Sequence, residues 1–143
     1  MFNGLTTKEM KKLLFILLCF PMIGFGQDGS LTADDFFDRA SKNNNSSDWQ
    51  YQIDNYTKCL RIDPDYDISA YLNRGQAYNR LENYEAAIAD YTRAIRIDPD
   101  YARAYKSRGI AKENAGLPYC SDYKRACELG NEDGCEWYNE QCR

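Results

Sequence analysis

The chain has 143 residues, with 18 lysines and arginines against 22 aspartates and glutamates and no histidine at all. The lack of histidine removes Ser–His–Asp and Cys–His nucleophile pairs, zinc-protease motifs and histidine-ligated metals together. A net charge of −4 with no block of five like charges argues against nucleic acid, whose binding rests on phosphate neutralisation by cations.

At the N-terminus, Lys11 and Lys12 precede an apolar run from Leu13 to Phe25. That run is too short to cross a bilayer as a helix and suits the core of a signal peptide. Gly24-Phe25-Gly26 offers small residues at the two positions a signal peptidase inspects, which places cleavage before Gln27. Residues 1–26 are therefore expected to be a signal peptide and 27–143 the folded domain, with Met10 as an alternative start. Cys19 does not make a lipoprotein site, because Leu18 before it is too bulky. The expected location is periplasmic or secreted, by bacterial export, with no membrane segment left after cleavage. The segment carries three of the cations and one of the acids, so 117 residues remain, with 15 cationic and 21 acidic side chains and a net charge of −6. That is enough for one domain.

Thr32 is placed to cap a helix whose first turn holds Asp34 and Asp35, both favourable near the positive end of the helix dipole. Phe36 and Ala40 fall on its apolar side, and the polar run from Asn43 to Asp48 ends it early. Trp49, Ile53, Tyr56, Cys59 and Leu60 then step by three and four along a second helix. Asn45-Ser46-Ser47 and Asn55-Tyr56-Thr57 fit the glycosylation pattern, but in a bacterial setting both are chance matches.

From Ile68 to Tyr101 the pattern is clearer. Tyr71, Gly75, Tyr78 and Leu81, then Tyr84, Ala87, Ile88, Tyr91, Ala94 and Ile95, mark one buried stripe on each of two helices. Glu82-Asn83 supplies the turn between them, and Pro99 stops the second, since it lacks an N–H and clashes with the preceding turn. Gly75 and Ala87 sit on the facing stripes, where small side chains allow close approach. This hairpin recurs. Arg61-Ile62-Asp63-Pro64-Asp65-Tyr66 returns as Arg96-Ile97-Asp98-Pro99-Asp100-Tyr101, and Ala70-Tyr71 with Arg74-Gly75 returns as Ala104-Tyr105 with Arg108-Gly109. Asp90-Tyr91-Thr92-Arg93-Ala94 returns as Asp122-Tyr123-Lys124-Arg125-Ala126.

A period near 34 with this content resembles the tetratricopeptide (TPR) repeat. The family's large–leucine–glycine–tyrosine–alanine–phenylalanine–proline ladder falls on Tyr71, Arg74, Gly75, Tyr78, Ala87, Tyr91 and Pro99, with Arg74 as the one departure. The resemblance implies an all-α solenoid of helical hairpins: three repeats at about 33–66, 68–101 and 102–130, and a capping helix at about 132–141. The first repeat looks worn, with an extra residue and a shortened first helix. Cys59 takes the place of Ala94 in the next repeat, that of a small buried hydrophobe.

In the third repeat, Gly116-Leu117-Pro118 makes the turn, with Gly116 as a left-handed cap and Pro118 suited to a helix start. Export puts Cys120, Cys127, Cys135 and Cys142 in an oxidising compartment. Spacings of seven place each pair on one face of its helix, about 10 Å apart and beyond disulfide reach of each other. If residues 130–134 turn the chain back antiparallel, Cys127 faces Cys135 and Cys120 faces Cys142, and both bridges form as rungs. Zinc is excluded by spacing, since there is no C-x-x-C pair. The cysteine-bearing end also resembles the hairpins of Sel1-like repeats.

No catalytic constellation, cofactor or metal site emerges, and the chain is not expected to be an enzyme. The Asp-Pro-Asp clusters at Asp63 and Asp98 recur at a structural period and are expected to be turn caps. Most of the 12 tyrosines occupy stripe positions and belong to the core. The TPR resemblance implies a concave groove lined by the first helix of each repeat. Its candidates are Leu72, Asn73, Gln76, Asn79 and Arg80, with Arg103, Lys106, Ser107 and Ile110. Asn73 and Arg103 stand where carboxylate-clamp members place an asparagine and a cation, but Ser107 replaces the second cation, and Phe37 and Ser41 replace the first-repeat partners. The expectation is a scaffold or adaptor that holds a protein or peptide without reading its terminal carboxylate. Two alternatives stand: a Sel1-like enzyme acting on cell-wall or β-lactam compounds, with Ser107 or Ser121 as its nucleophile, and a self-associating structural subunit, a homo-oligomer.

Overall fold

The computed structural model describes residues 30–42 and 48–143, and its folded unit runs from Leu31 to Arg143. The expected signal peptide, its cleavage point, Met10, Cys19 and the Asn45 sequon lie outside the described residues. Among the described residues there are seven helices and no strand: α1 (Ala33–Lys42), α2 (Trp49–Ile62), α3 (Ile68–Arg80), α4 (Tyr84–Ile97), α5 (Ala102–Asn114), α6 (Cys120–Glu128) and α7 (Glu132–Gln141). Each helix packs on the next, and α3 also touches α5. Three hairpins, α1–α2, α3–α4 and α5–α6, are thus stacked in order, with α7 laid on α6.

Short polar side chains start most of these helices. At α1 the Thr32 hydroxyl accepts from Asp35 N–H at 3.2 Å and Asp35 accepts from Thr32 N–H at 2.9 Å, a reciprocal capping box. Asp48, Asp67, Asn83 and Asn131 cap α2, α3, α4 and α7 with their side-chain oxygens. Pro118 stands before the start of α6, which begins at Cys120 with Tyr119 as its cap.

Helix ends repeat as well. After α3, α5 and α6 the chain closes the same backbone bond, from Asn83 N–H to Tyr78 C=O, Leu117 N–H to Lys112 C=O and Asn131 N–H to Ala126 C=O, with the preceding residue in the left-handed region. That residue is Gly116 (φ 68°), Gly130 (φ 85°) and, without glycine's freedom, Glu82 (φ 59°). After α2 and α4, Asp63 and Asp98 each accept from the N–H two residues on, both at 3.0 Å. The two Asp-Pro-Asp clusters are turn caps.

The second helix of each hairpin contributes one tyrosine to the core. Tyr56, Tyr91 and Tyr123 hold the same place in α2, α4 and α6, and all are buried. Glycines let the first helix of a hairpin approach that ring: a β-carbon at Gly75 would lie 2.7 Å from the Tyr91 ring, and one at Gly109 3.0 Å from Tyr123. The close partner of Gly75 is therefore the tyrosine, although Ala87 is also buried.

Arg74 is explained by a buried lock. Its Nε and Nη2 donate to the two Asp90 oxygens at 2.8 and 2.7 Å, and Nη1 reaches the Thr57 hydroxyl on the previous hairpin at 3.1 Å. Arg108 repeats this with Asp122 (2.7 Å) and Thr92 (3.1 Å). A bidentate guanidinium–carboxylate pair is among the stronger hydrogen-bonded units; here it joins the two helices of one hairpin, and the third guanidinium nitrogen reaches the threonine of the hairpin before. Burial pushes the Asp90 carboxyl up, against the downward pull of Arg74.

At the C-terminal end, Cys120–Cys142 and Cys127–Cys135 are bonded, with Cα–Cα distances of 5.6 and 4.4 Å. These are the two rungs of an antiparallel pair. Between them a β-carbon on Gly134 would stand 2.8 Å from that of Ala126, and Trp137 stacks on Tyr123 at 5.9 Å. Cys59 is the free cysteine among the described residues and is fully buried, which raises its thiol to about 11. Asn55 of the second sequon is also buried, its amide donating to Tyr51 C=O at 2.8 Å.

Candidate functional site

A cleft of about 700 Å³ opens across α2 to α5. α3 contributes Asn73, Gln76, Asn79 and Arg80, spaced by three and four so that they share a face. α5 contributes Arg103, Lys106, Ser107 and Ile110, and Asn114 at its end. Trp49 and Gln52 come from the start of α2, and Tyr91 from α4 closes the floor.

Every expected groove residue except Leu72 lines this cleft. Leu72 is 1 % exposed and belongs to the hydrophobic core. It lies three residues before Gly75, and an apolar side chain there belongs to the core. Ser107 lines the cleft but is 8 % exposed, and no histidine exists to activate it. Phe37 packs at the core edge, and neither it nor Ser41 lines the cleft.

Trp49, Gln52, Tyr91 and Asn114 were missed. Trp49 and Tyr91 lie on second helices, whose apolar periodicity assigned them to the core, and Gln52 falls between two residues of that stripe. Gln52 does carry a signal: it is polar at the position where the next repeat has the buried Ala87.

The lining is rich in amides and cations, and no carboxylate is part of it. Asn73 donates to the Tyr56 hydroxyl at 3.2 Å, and Asn114 to Asn79 at 3.5 Å. Burial raises the Tyr91 hydroxyl far above its ordinary range, so it stays neutral. Arg80 lies over the Trp49 ring at 5.8 Å. Lys106 meets Asp133 of α7 at 2.6 Å. Amide side chains donate and accept at once, as a peptide backbone does, and the cations add an attraction for acids.

The tetratricopeptide repeat family model matches residues 68–101. Solved structures extend the likeness over most of the chain. The first TPR domain of Spaghetti (RPAP3), bound to the HSP90 peptide SRMEEVD, is 27% identical with a TM-score of 0.67, covering 76% of this chain and 91% of that one. The second TPR domain of human RPAP3, in complex with the HSP70 peptide SGPTIEEVD, is 26% identical with a TM-score of 0.69, covering 76% and 92%. The TPR2B domain of yeast Sti1, in a pHsp70 complex, is 25% identical with a TM-score of 0.66, covering 77% and 95%. No curated protein matches the chain. The fold is an all-α TPR solenoid, and the likeness is to domains that hold peptides, in keeping with a chain that is not an enzyme.

Proposed function

We propose that this chain is an exported scaffold that holds an acidic, extended stretch of another protein in the α2–α5 cleft. The observation that carries this reading is the sign of the site: Arg80, Arg103 and Lys106 border it and no carboxylate lines it, in a chain of net charge −4. Such local inversion of charge favours a ligand of opposite sign. The peptides SRMEEVD and SGPTIEEVD held by the similar domains carry paired glutamates, which supports the same class of ligand. Because an apolar Phe37 and a short Ser41 stand at the first-repeat places and neither lines the cleft, an internal stretch is favoured over a chain end. Residues 1–26 act as the signal peptide in this reading, and the cysteine-bearing α6–α7 hairpin is of the Sel1-like kind.

The test is fluorescence anisotropy with a short, amidated, glutamate-rich peptide, beside the same peptide with every glutamate changed to glutamine. Asn73→Ala with Arg103→Ala should weaken the acidic peptide about tenfold or more, since each lost charged hydrogen bond costs on the order of 1.5–3 kcal/mol. Unchanged affinity in the double variant would remove these residues from the site. N-terminal sequencing of the protein recovered from the periplasm should begin at Gln27.

A further inference from the structure

The cations around the cleft are not equivalent. Arg80 rests on the Trp49 ring, and neither it nor Arg103 has an acidic partner among the described residues. Lys106 does, and its partner comes from outside the cleft: Asp133 Oδ2, 2.6 Å from Lys106 Nζ and 27 residues along the chain. The place Lys106 occupies explains why. It lies three residues before Gly109, as Leu72 lies three before Gly75, and in α3 that place is apolar and buried. In α5 the same place carries a lysine whose side chain is only 25 % exposed, and α7 answers it with a carboxylate instead of an apolar side chain.

α7 holds that carboxylate in position. Asp133 lies between Asn131, which caps the helix on Gly134 N–H at 2.8 Å, and Cys135, which is bonded to Cys127. The next residue, Gly134, is wedged against Ala126. The helix backbone cannot back away while both disulfides are closed. Asp133 itself remains 66 % exposed, so its side chain is free to turn toward solvent.

We propose that Asp133 is a built-in competitor at the cleft: it occupies Lys106 as a ligand carboxylate would, and an acidic ligand must displace it to gain the third cation. This rests on reading the cleft as an acidic-peptide site. Arg80 and Arg103 then supply the resting attraction, and Lys106 engages only ligands with a carboxylate placed to exchange with Asp133. Asp133 is a specificity residue that raises the charge density a ligand needs. Lys106 holds the Asp133 carboxyl below its ordinary range, which agrees with a closed pair in the empty protein.

The experiment uses the glutamate-rich peptide and its glutamine counterpart with the oxidised full domain. Asp133→Asn should tighten the acidic peptide roughly two- to fivefold, the scale of one partly exposed ion pair, and leave the glutamine peptide unchanged. In a Lys106→Ala background the gain should vanish. A second readout is independent of affinity: saturation with the acidic peptide should raise the carboxyl titration of Asp133, followed by NMR, toward its ordinary value. If the wild type binds the acidic peptide but Asp133→Asn leaves its affinity unchanged or weakens it, the competitor role is wrong and the groove reading stands. If the wild type does not distinguish the two peptides, the groove reading fails and the competitor role with it.

Discussion

The first and second hairpins pack on equivalent buried tyrosines, Tyr56 and Tyr91, and are locked by different means. In the second, Arg74 grips Asp90 and reaches across to Thr57 of the hairpin before it. In the first, Arg39 holds the Arg74 place but lies over the Phe36 ring at 5.8 Å, and Asn55 stands in the Asp90 place with its amide on the Tyr51 carbonyl. Ala40 replaces Gly75, and the rings of Phe37, Tyr56 and Tyr66 cluster at 5.6 and 5.4 Å. The reason lies in the stacking. The arginine lock bridges a hairpin to its predecessor, and among the described residues the first hairpin has none. A buried ion pair needs all its hydrogen-bonding partners to offset desolvation, so uncharged asparagine and aromatic packing are the better solution at an end.

Asp90→Ala should break this comparison most severely. It leaves a largely buried guanidinium without its acid, at a cost of about 3–4 kcal/mol, against about 1 kcal/mol for Asn55→Ala, both read from urea unfolding. Equal losses would mean that the lock is not what separates the hairpins. At the opposite end the closure is covalent, so removing Cys120–Cys142 by paired serines should cost about 3 kcal/mol, and removing the shorter Cys127–Cys135 loop somewhat less.

The first hairpin should also open more readily. Its Cys59 thiol is buried and raised to about 11, so a thiol reagent near neutral pH reacts with it only through opening. Labelling of Cys59 and amide exchange from Ser30 to Lys42 should both run at least tenfold faster than exchange from Tyr71 to Ile97. Matched rates would show that the aromatic cluster locks as firmly as the arginine. The smallest effect is at the turns: Glu82 stands in the left-handed place that Gly116 and Gly130 fill, so Glu82→Gly should raise stability by about 0.5–1 kcal/mol.

Much of this was legible because the chain repeats itself. The period near 34, the alternation of stripes and the turn residues placed all seven helices, and constant-sum pairing of antiparallel positions arranged the four cysteines. What escaped was context. Leu72 and Lys106 hold the same place in successive repeats, yet one is buried in the core and the other meets Asp133, a difference the repeat pattern alone does not show. Arg74 read as a substitution in a leucine ladder because its partners, Asp90 and Thr57, lie 16 and 17 residues away. Trp49 and Gln52 joined the cleft from a helix whose periodicity pointed inward.

Chemical-shift mapping with the glutamate-rich peptide tests the central claim most directly, because it locates the ligand whatever its affinity. The largest shifts should fall on Asn73, Gln76, Asn79, Arg80 and Arg103, including the side-chain amides, with Lys106 and Asp133 moving together and the Asp63 and Asp98 turns unmoved. Shifts concentrated on those turns or on the outer face of α7, with the cleft residues silent, would contradict it.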